Sequence, residues 1–311
     1  MAALVAFAMC VFSLLYHPVE IFPIRYGLCL PSPDAWISNS FWSWFVNLLI
    51  LGGIAVLLWL LNKSYNFIRT TEPVLPALFL VMSASCPWFT ESLNTGVLLC
   101  LANVLAAGII FTSYDSKNAT QQMFILGVVS GLGSMFQYAF LPMAVVYLLW
   151  ALFMKVLRLK ETLALIAGIL CPYWIVLGTG WMNFSDITFP SLTPLFGNTP
   201  DHSDFLFLLL GIGIATGLGF IVTMINFMKL YAGNSKVNAM NLCMTTLGAA
   251  SVICILVDFD NMPAYVITLY MTCAIQLANI CALWNPKMPW LVTFLPSFTY
   301  VGLFVLNLIL G

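Results

Sequence analysis

The sequence predicts an all-α protein, a polytopic bundle of transmembrane helices. Of its 311 residues, 62% are hydrophobic and only 7% carry a charge, and the mean hydropathy is +1.02. Soluble domains contain about 25% charged residues, so this composition excludes a soluble protein. The 10 basic and 11 acidic residues leave a net charge of −1, which offers no basic field to nucleic acid. Membrane lipids are therefore expected partners, and nucleic acid is not.

The number of spans follows from the apolar stretches, since a spanning helix needs roughly 20 mostly apolar residues. About eleven stretches qualify, with a range of ten to twelve: 1–17, 40–61, 73–90, 93–113, 120–138, 139–155, 162–181, 205–228, 239–257, 263–283 and 290–310. The first is short but is expected to be a retained helix rather than a signal peptide. Only a polar step at Gln137 and Tyr138 separates the fifth from the sixth, so one bent helix is the alternative there. Residues 1–311 are predicted to form a single integral membrane domain.

The charges predict how the chain is oriented, because basic residues concentrate in cytoplasmic loops. Nine of the ten basic residues fall on one side: Lys63, Arg69, Lys117, Lys155, Arg158, Lys160, Lys229, Lys236 and Lys287. Eight carboxylates fall on the other: Glu20, Asp34, Glu91, Asp186, Asp201, Asp204, Asp258 and Asp260. This pattern predicts a cytoplasmic N-terminus, an outside C-terminus and, for a Gram-negative source, a location in the inner (plasma) membrane.

Glycines indicate where the predicted helices pack, because helices in lipid approach each other through small residues. The fifth span carries Gly127, Gly131 and Gly133, and the eighth carries Gly211, Gly213, Gly217 and Gly219. A nucleotide-binding glycine loop is a poor alternative, since neither run follows a strand or precedes a Lys-Ser/Thr pair. We expect these glycines to be packing residues.

Polar residues inside the spans are amides rather than charges. No Asp, Glu, Lys or Arg falls in the middle of a predicted span, which argues against a transporter coupled through a carboxylate at membrane depth. Gln276 and Asn279 stand three residues apart, hence on one helical face. They are candidate binding residues for a polar ligand, and interhelical hydrogen bonds are the alternative.

Metal and redox chemistry are not expected. The two histidines, His17 and His202, both lie in predicted outer loops, so they cannot form an imidazole cluster for zinc or iron within the membrane. The nine cysteines are odd in number and have no Cys-x-x-Cys pair, a pattern typical of buried apolar residues rather than of a disulfide framework. The sequence predicts no metal and no cofactor.

The outer side holds the remaining candidates for chemistry. Glu20 and Asp34 lie in the first outer loop, and Arg25 is the lone basic residue predicted on that side. A carboxylate in this position is a candidate catalytic base. Arg25 is a candidate for binding a phosphate or the head group of a polyprenyl-linked donor, with pairing to Glu20 or Asp34 as the alternative.

Two resemblances bear on these candidates. The segments Tyr65-Asn66-Phe67-Ile68-Arg69-Thr70, Leu75-Pro76-Ala77-Leu78-Phe79, Gly127–Tyr138 through Leu141-Pro142, and Cys171-Pro172-Tyr173 resemble an uncharacterised family of polytopic inner-membrane proteins of Bacteroidetes bacteria. The resemblance covers roughly residues 60–180 and implies about ten or eleven spans, but no activity. Some members of this kind carry a carotene-cleaving monooxygenase label, which does not suit this chain because its two histidines cannot hold the iron.

The second resemblance is to polytopic glycosyltransferases that use polyprenyl-phosphate sugars. Those enzymes carry acidic residues in the first outer loop, where Glu20 and Asp34 stand in this chain. The resemblance implies that one of the two acts as the base, or as the group that orients a metal, on the acceptor.

Three functions are compatible with the sequence. The first is an accessory or scaffold subunit of the bacterial cell envelope, with protein partner subunits, because the polar inventory is dominated by packing residues. The second is an enzyme that handles a polyprenyl-linked sugar at the outer face through Glu20, Asp34 and Arg25. The third is an uncoupled transporter.

Overall fold

The computed structural model describes residues 2–16, 28, 30–68, 73–181, 187, 192, 194, 203–230, 235–283 and 289–310. Its regular elements in these ranges are helices: α1 (Ala2–Tyr16), α2 (Ser40–Tyr65), α3 (Val74–Ala84), α4 (Thr95–Phe111), α5 (Thr120–Phe136), α6 (Met143–Phe153), α7 (Leu159–Gly178), α8 (Ser203–Leu230), α9 (Ser235–Val257), α10 (Met262–Leu283) and α11 (Pro289–Leu310). Glu20 and Arg25 lie outside the described residues.

Five of these helices are long and apolar enough to cross a membrane: Ser40–Tyr65, Leu159–Gly178, Phe207–Asn226, Ser235–Val257 and Met262–Cys281. Five further apolar helices are shorter, at 10–17 residues. The helical class and the membrane character expected from the sequence are therefore present in the described part of the chain. The count of eleven spans and the orientation of the termini stay predictions.

Helix α10 forms the centre of the bundle. Its apolar window is 94% buried, and α3, α4, α8, α9 and α11 pack around it. Val266, Ile267, Ala274 and Ile275 are all 0% exposed. Among the five long helices, α10 has the lowest mean hydropathy, 1.5, and it carries Gln276 and Asn279. Polar side chains at membrane depth face other helices rather than lipid, which explains why α10 and not a more apolar helix occupies the centre.

Two glycines of α5 are packing residues, as the sequence predicts, and the helix that they contact is α7. A Cβ on Gly127 would overlap the carbonyl oxygen of Leu165, and one on Gly131 would lie 2.5 Å from the carbonyl oxygen of Ile169. Backbone therefore packs directly on backbone, the arrangement for which small residues are favoured in membranes.

The same prediction is wrong for part of α8. Gly211 does pack closely, since a Cβ there would lie 2.6 Å from Tyr270 Oη. Gly213 and Gly217 have nothing within 4 Å of a Cβ and are exposed. The reason is that these two glycines lie on the face of α8 turned away from α10, so no helix approaches them.

The loops of the bundle gather at two ends. At the first, the backbone N–H of Leu30 donates to Met135 O at 2.8 Å, and Gln137 Nε2 donates to Asn261 Oδ1 at 2.9 Å. We call this the carboxylate end, after the residues discussed below. At the other, the basic end, Arg158 donates to Lys117 O at 3.0 Å. The charge pattern assigns these two groups of loops to opposite sides of the membrane, and which side is cytoplasmic stays a prediction.

Helix α3 is shorter than the predicted span 73–90. It ends at Ala84, and a 3-10 turn follows at Pro87–Phe89. Cys86 has φ −112° and ψ 113°, because a residue before proline is disfavoured in the α region. Residues 85–94 therefore form an irregular segment, which we call the buried loop.

A comparable break separates α5 from α6. A 3-10 turn at Tyr138–Phe140 lies between them, so the stretch 120–155 forms two helices rather than one bent helix. The break falls at the polar step where the sequence placed it.

Candidate functional site

The buried loop lies inside the bundle at the carboxylate end, where irregular backbone is tolerated only if its polar groups find partners. The carbonyl oxygen of Phe89 accepts from Asn47 Nδ2 at 2.7 Å and from Asn94 Nδ2 at 3.2 Å. The backbone N–H of Leu93 donates to Ser43 Oγ at 2.8 Å. Side chains of α2 therefore replace the hydrogen bonds that a helix would have made, and they fix the loop in place.

Glu91 is the charged residue of this loop. Its side chain is 3% exposed, and Ser13 Oγ of α1 donates to its Oε1 at 2.8 Å. Burial raises the pKa of Glu91 to about 7, and the hydrogen bond from Ser13 lowers it only in part. A carboxyl with a pKa near neutrality can both accept and release a proton at working pH, as a general acid or base must.

Asp34 is held at the same end by hydroxyl groups. It lies in a 3-10 turn, Pro33–Ala35, and its Oδ2 accepts from Ser32 Oγ at 2.8 Å and from Thr95 Oγ1 at 3.3 Å. Burial raises its pKa, and these hydrogen bonds oppose that rise. Thr95 directly follows the buried loop, so its hydroxyl connects the loop between α1 and α2 to the segment that carries Glu91.

A third carboxylate, Asp258, belongs to a separate network at this end. It is 3% exposed, and its Oδ2 accepts from Tyr138 Oη at 2.7 Å and from Asn261 Nδ2 at 3.1 Å. Asn261 in turn accepts from Gln137 Nε2. These contacts tie the break between α5 and α6 to the break between α9 and α10, so Asp258 has a structural role in joining them.

Three carboxylates are buried although none falls in the middle of a predicted span: Glu91, Asp258 and Glu161 are each 3% exposed or less. The short loops fold into the ends of the bundle instead of extending into water. Within the described ranges, the ion pair recorded is Lys160–Glu161 at the basic end, with 3.6 Å between Nζ and Oε1. The side-chain donors that these ranges supply to Glu91 and Asp34 are hydroxyl groups.

Gln276 and Asn279, the candidate ligand-binding amides, make interhelical hydrogen bonds. Asn226 Nδ2 donates to Gln276 Oε1, Gln276 Nε2 donates to Thr245 Oγ1, and Asn279 Nδ2 donates to Asn241 Oδ1, each at 2.9 Å. We call these residues the amide network. It links α8, α9 and α10, as the alternative interpretation expected, and ligand binding by either residue stays a prediction.

Of the candidates on the predicted outer side, Glu20, Arg25 and Asp34, the structure describes only Asp34. It also makes Glu91 a candidate. The charge pattern of the sequence places Glu91 among the outer carboxylates but does not select it. The sequence did contain a signal for this burial, because the predicted spans 73–90 and 93–113 leave only Glu91 and Ser92 between them. A carboxylate in so short a connection, directly after Pro87-Trp88-Phe89, has little access to water.

Comparison with known proteins adds no relative: no family model, curated protein or solved structure matches the chain. Both resemblances therefore stay predictions. The described residues contain no group of three His, Cys, Asp or Glu side chains arranged to hold a metal ion.

Proposed function

We propose that this protein is an integral membrane enzyme of the bacterial inner membrane that transfers a sugar from a polyprenyl-phosphate donor, with Glu91 as general base. The observation that carries the proposal is the position of Glu91, a carboxylate buried in an irregular loop that Thr95 connects to Asp34. Burying a carboxylate is costly, and carboxyl groups whose pKa is perturbed in this way concentrate at functional sites.

The proposed step uses Glu91 to accept one proton. The acceptor hydroxyl oxygen bonds to the anomeric carbon of the sugar while the bond from that carbon to the phosphate oxygen breaks. The bonding electrons leave with the polyprenyl phosphate, and the hydroxyl proton passes to the Glu91 carboxylate. Asp34, held by Ser32 and Thr95, orients the acceptor by accepting a hydrogen bond from a second hydroxyl.

The substitution Glu91→Gln tests this assignment, because glutamine keeps the size of the side chain and an oxygen for Ser13 but cannot take the proton. The matched control is Glu161→Gln, which alters a carboxylate that is 1% exposed at the basic end. Full-length protein in nanodiscs would be supplied with lipid-linked saccharides extracted from its source membranes. We expect turnover to fall on the order of 100-fold for Glu91→Gln and to be unchanged for the control.

Equal turnover by wild type and Glu91→Gln would exclude Glu91 as the base, and an absence of turnover by wild type would exclude the enzyme. The sequence also suggested Glu20 with Asp34 as the carboxylates in question. The double variant Glu20→Gln with Asp34→Asn belongs in the same assay, and loss of turnover there with full turnover in Glu91→Gln would move the base to the first outer loop.

An accessory subunit is the second proposal, and α7 is the observation that favours it. This helix packs chiefly on α5 and leaves Leu170 59% and Trp174 81% exposed, an apolar face that a partner helix could cover. Trp181, three residues after its end, is 83% exposed. Native mass spectrometry after gentle extraction tests it: a stoichiometric protein partner supports a subunit, and a bound ladder of polyprenyl phosphate and sugars supports the enzyme.

A further inference from the structure

A cavity of about 340 Å³ lies within the apolar part of the bundle, between α8, α9 and α10. It exists because α8 and α9 both pack along α10 but barely contact each other. Its walls include Ala215 and Gly219 of α8, Gly248 and Ala249 of α9, and Leu269 of α10. Ligand pockets begin at about 300 Å³, and an apolar cavity of about 150 Å³ already binds benzene, so this space accommodates a segment of a ligand.

The lining is apolar even though threonines contribute to it. Thr216, Thr245 and Thr272 all line the cavity, and each donates its hydroxyl to a carbonyl oxygen of its own helix, at 2.8 to 2.9 Å. Threonine hydroxyls turned toward the backbone leave the methyl groups to face the space. At these three positions the cavity is therefore lined by methyl groups, and the hydroxyl of Thr223 is a further polar group on its wall.

One end of the cavity is closed by the amide network. Gln276 lies at its edge, with its carboxamide engaged by Asn226 Nδ2 and by Thr245 Oγ1. These bonds hold α8, α9 and α10 together at this end of the cavity.

The other opening faces the surface that lipid covers. Phe220 and Ile253 line the cavity and are 63% and 60% exposed, so the mouth lies between α8 and α9 among side chains suited to hydrocarbon. A ligand entering from the bilayer would insert an apolar chain.

We propose that this cavity binds the isoprenoid chain of a polyprenyl phosphate. The small residues on its walls recur four residues apart, Ala215 and Gly219 on α8 and Thr245 and Ala249 on α9, hence about 6 Å apart along each helix. An isoprenoid carries a methyl branch at every fourth carbon, a repeat of similar length, so successive branches fit successive notches. This inference rests on the proposed function, and it assigns a binding site to the lipid chain of the proposed donor.

The test is photo-crosslinking of the full-length protein in vesicles of phosphatidylethanolamine and phosphatidylglycerol. One sample contains a diazirine-labelled polyprenyl phosphate, and a second contains phosphatidylglycerol with a diazirine on its acyl chain. We expect the polyprenyl probe to label residues 215–223 and 244–253, and the acyl probe to label the whole lipid-facing surface without preference. Preferential labelling of these segments by the acyl probe would overturn the assignment to an isoprenoid.

Substitutions of two glycines on the same helix supply the matched pair. A Cβ on Gly219 would be 4.0 Å from Cys273 Sγ, and one on Gly217 has nothing within 4 Å and lies outside the cavity. Gly219→Leu therefore fills the cavity and should lower polyprenyl labelling on the order of tenfold, whereas Gly217→Leu should leave it unchanged. The Gly219→Leu variant must first match wild type in its elution from size-exclusion chromatography and in its unfolding. If polyprenyl labelling of such a variant is not reduced, the proposal is overturned.

Glu91→Gln separates this inference from the proposed enzyme, because it should crosslink like wild type. Specific labelling of a wild-type protein that shows no turnover would exclude the enzyme and support the chain-binding cavity. Turnover by wild type, together with labelling that Gly219→Leu does not change, would exclude the cavity as the binding site and support the enzyme.

Discussion

The buried loop and the amide network are equally buried but treat polar side chains in opposite ways. In the network, neutral amides of α8, α9 and α10 bind one another across helices. In the loop, a carboxylate is enclosed with one serine hydroxyl as its recorded donor. The difference teaches that burial alone does not indicate function. Neutral amides inside the bundle join helices, whereas a carboxyl whose pKa is raised to about 7 keeps a proton available for exchange.

The largest expected effect comes from placing a carboxyl in the amide network. Gln276→Glu removes the donor to Thr245 and introduces a group that is costly at membrane depth, by roughly 2.5–3.5 kcal/mol on insertion scales. We expect a loss of about 3 kcal/mol of stability at neutral pH in unfolding by SDS from mixed micelles. Gln121→Glu, at an exposed position of α5, is the control and should change stability by less than about 0.5 kcal/mol.

The pH dependence of stability provides the next test, through the raised pKa of Glu91. A pKa that folding raises from 4.5 to about 7 favours the protonated form in the folded protein. Its contribution is therefore fully present below pH 4.5 and is lost as the pH rises through about 7. Glu91→Gln, which mimics the protonated form, should exceed wild type in stability at pH 8 by at most about 3 kcal/mol.

This advantage should disappear below pH 4.5, and unfolding measured from pH 4 to pH 8 would show it. A gap between the two proteins that does not vary with pH would show that Glu91 is not perturbed. In turnover, the same pKa predicts a rate that rises with pH through about 7 and then levels off, since the base must be ionised to act.

A smaller effect is expected from cutting one link of the amide network. Asn279→Leu leaves Asn241 Oδ1 without the donor that now lies 2.9 Å away, and interhelical hydrogen bonds of this kind contribute about 0.6–1.7 kcal/mol. SDS unfolding should report a loss in that range without any dependence on pH. In a double-mutant cycle, the double variant with Asn279→Leu and Asn241→Leu should lose less stability than the sum of the two single losses. A double-variant loss equal to that sum would contradict the contact.

The smallest effect concerns the hydrogen bond that Ser13 donates to Glu91. Since this bond lowers the pKa of Glu91, Ser13→Ala should move the pH at which the stability loss levels off from about 7 to a higher value and cost about 1 kcal/mol at pH 8. Ser251→Ala is the control, because Ser251 is also buried but donates to Leu247 O of its own helix. If the stability loss of Ser13→Ala still levels off at about pH 7, the perturbation of the Glu91 pKa results from burial alone.

Local features of the sequence anticipated part of the fold. The polar step at Gln137 and Tyr138 predicted the break between α5 and α6, and Gly127 and Gly131 predicted a close helix contact. The sequence could not reveal that α7 is the partner, that Gly213 and Gly217 point away from any helix, or that α3 stops at Ala84. Which face of a helix meets a neighbour depends on how the helices are arranged, and an apolar stretch does not record where a loop folds back into the bundle.

The sequence by itself determined that lipid surrounds much of this protein, because 62% hydrophobic residues and 7% charged residues cannot form a water-soluble surface. It also determined that the polar residues inside the spans are amides rather than charges. Only the tertiary structure decided which carboxylates are buried. Desolvation of Glu91 results from α1, α2 and the buried loop closing around it. These segments are distant in sequence, so the property that makes Glu91 a candidate base arises only when the chain folds.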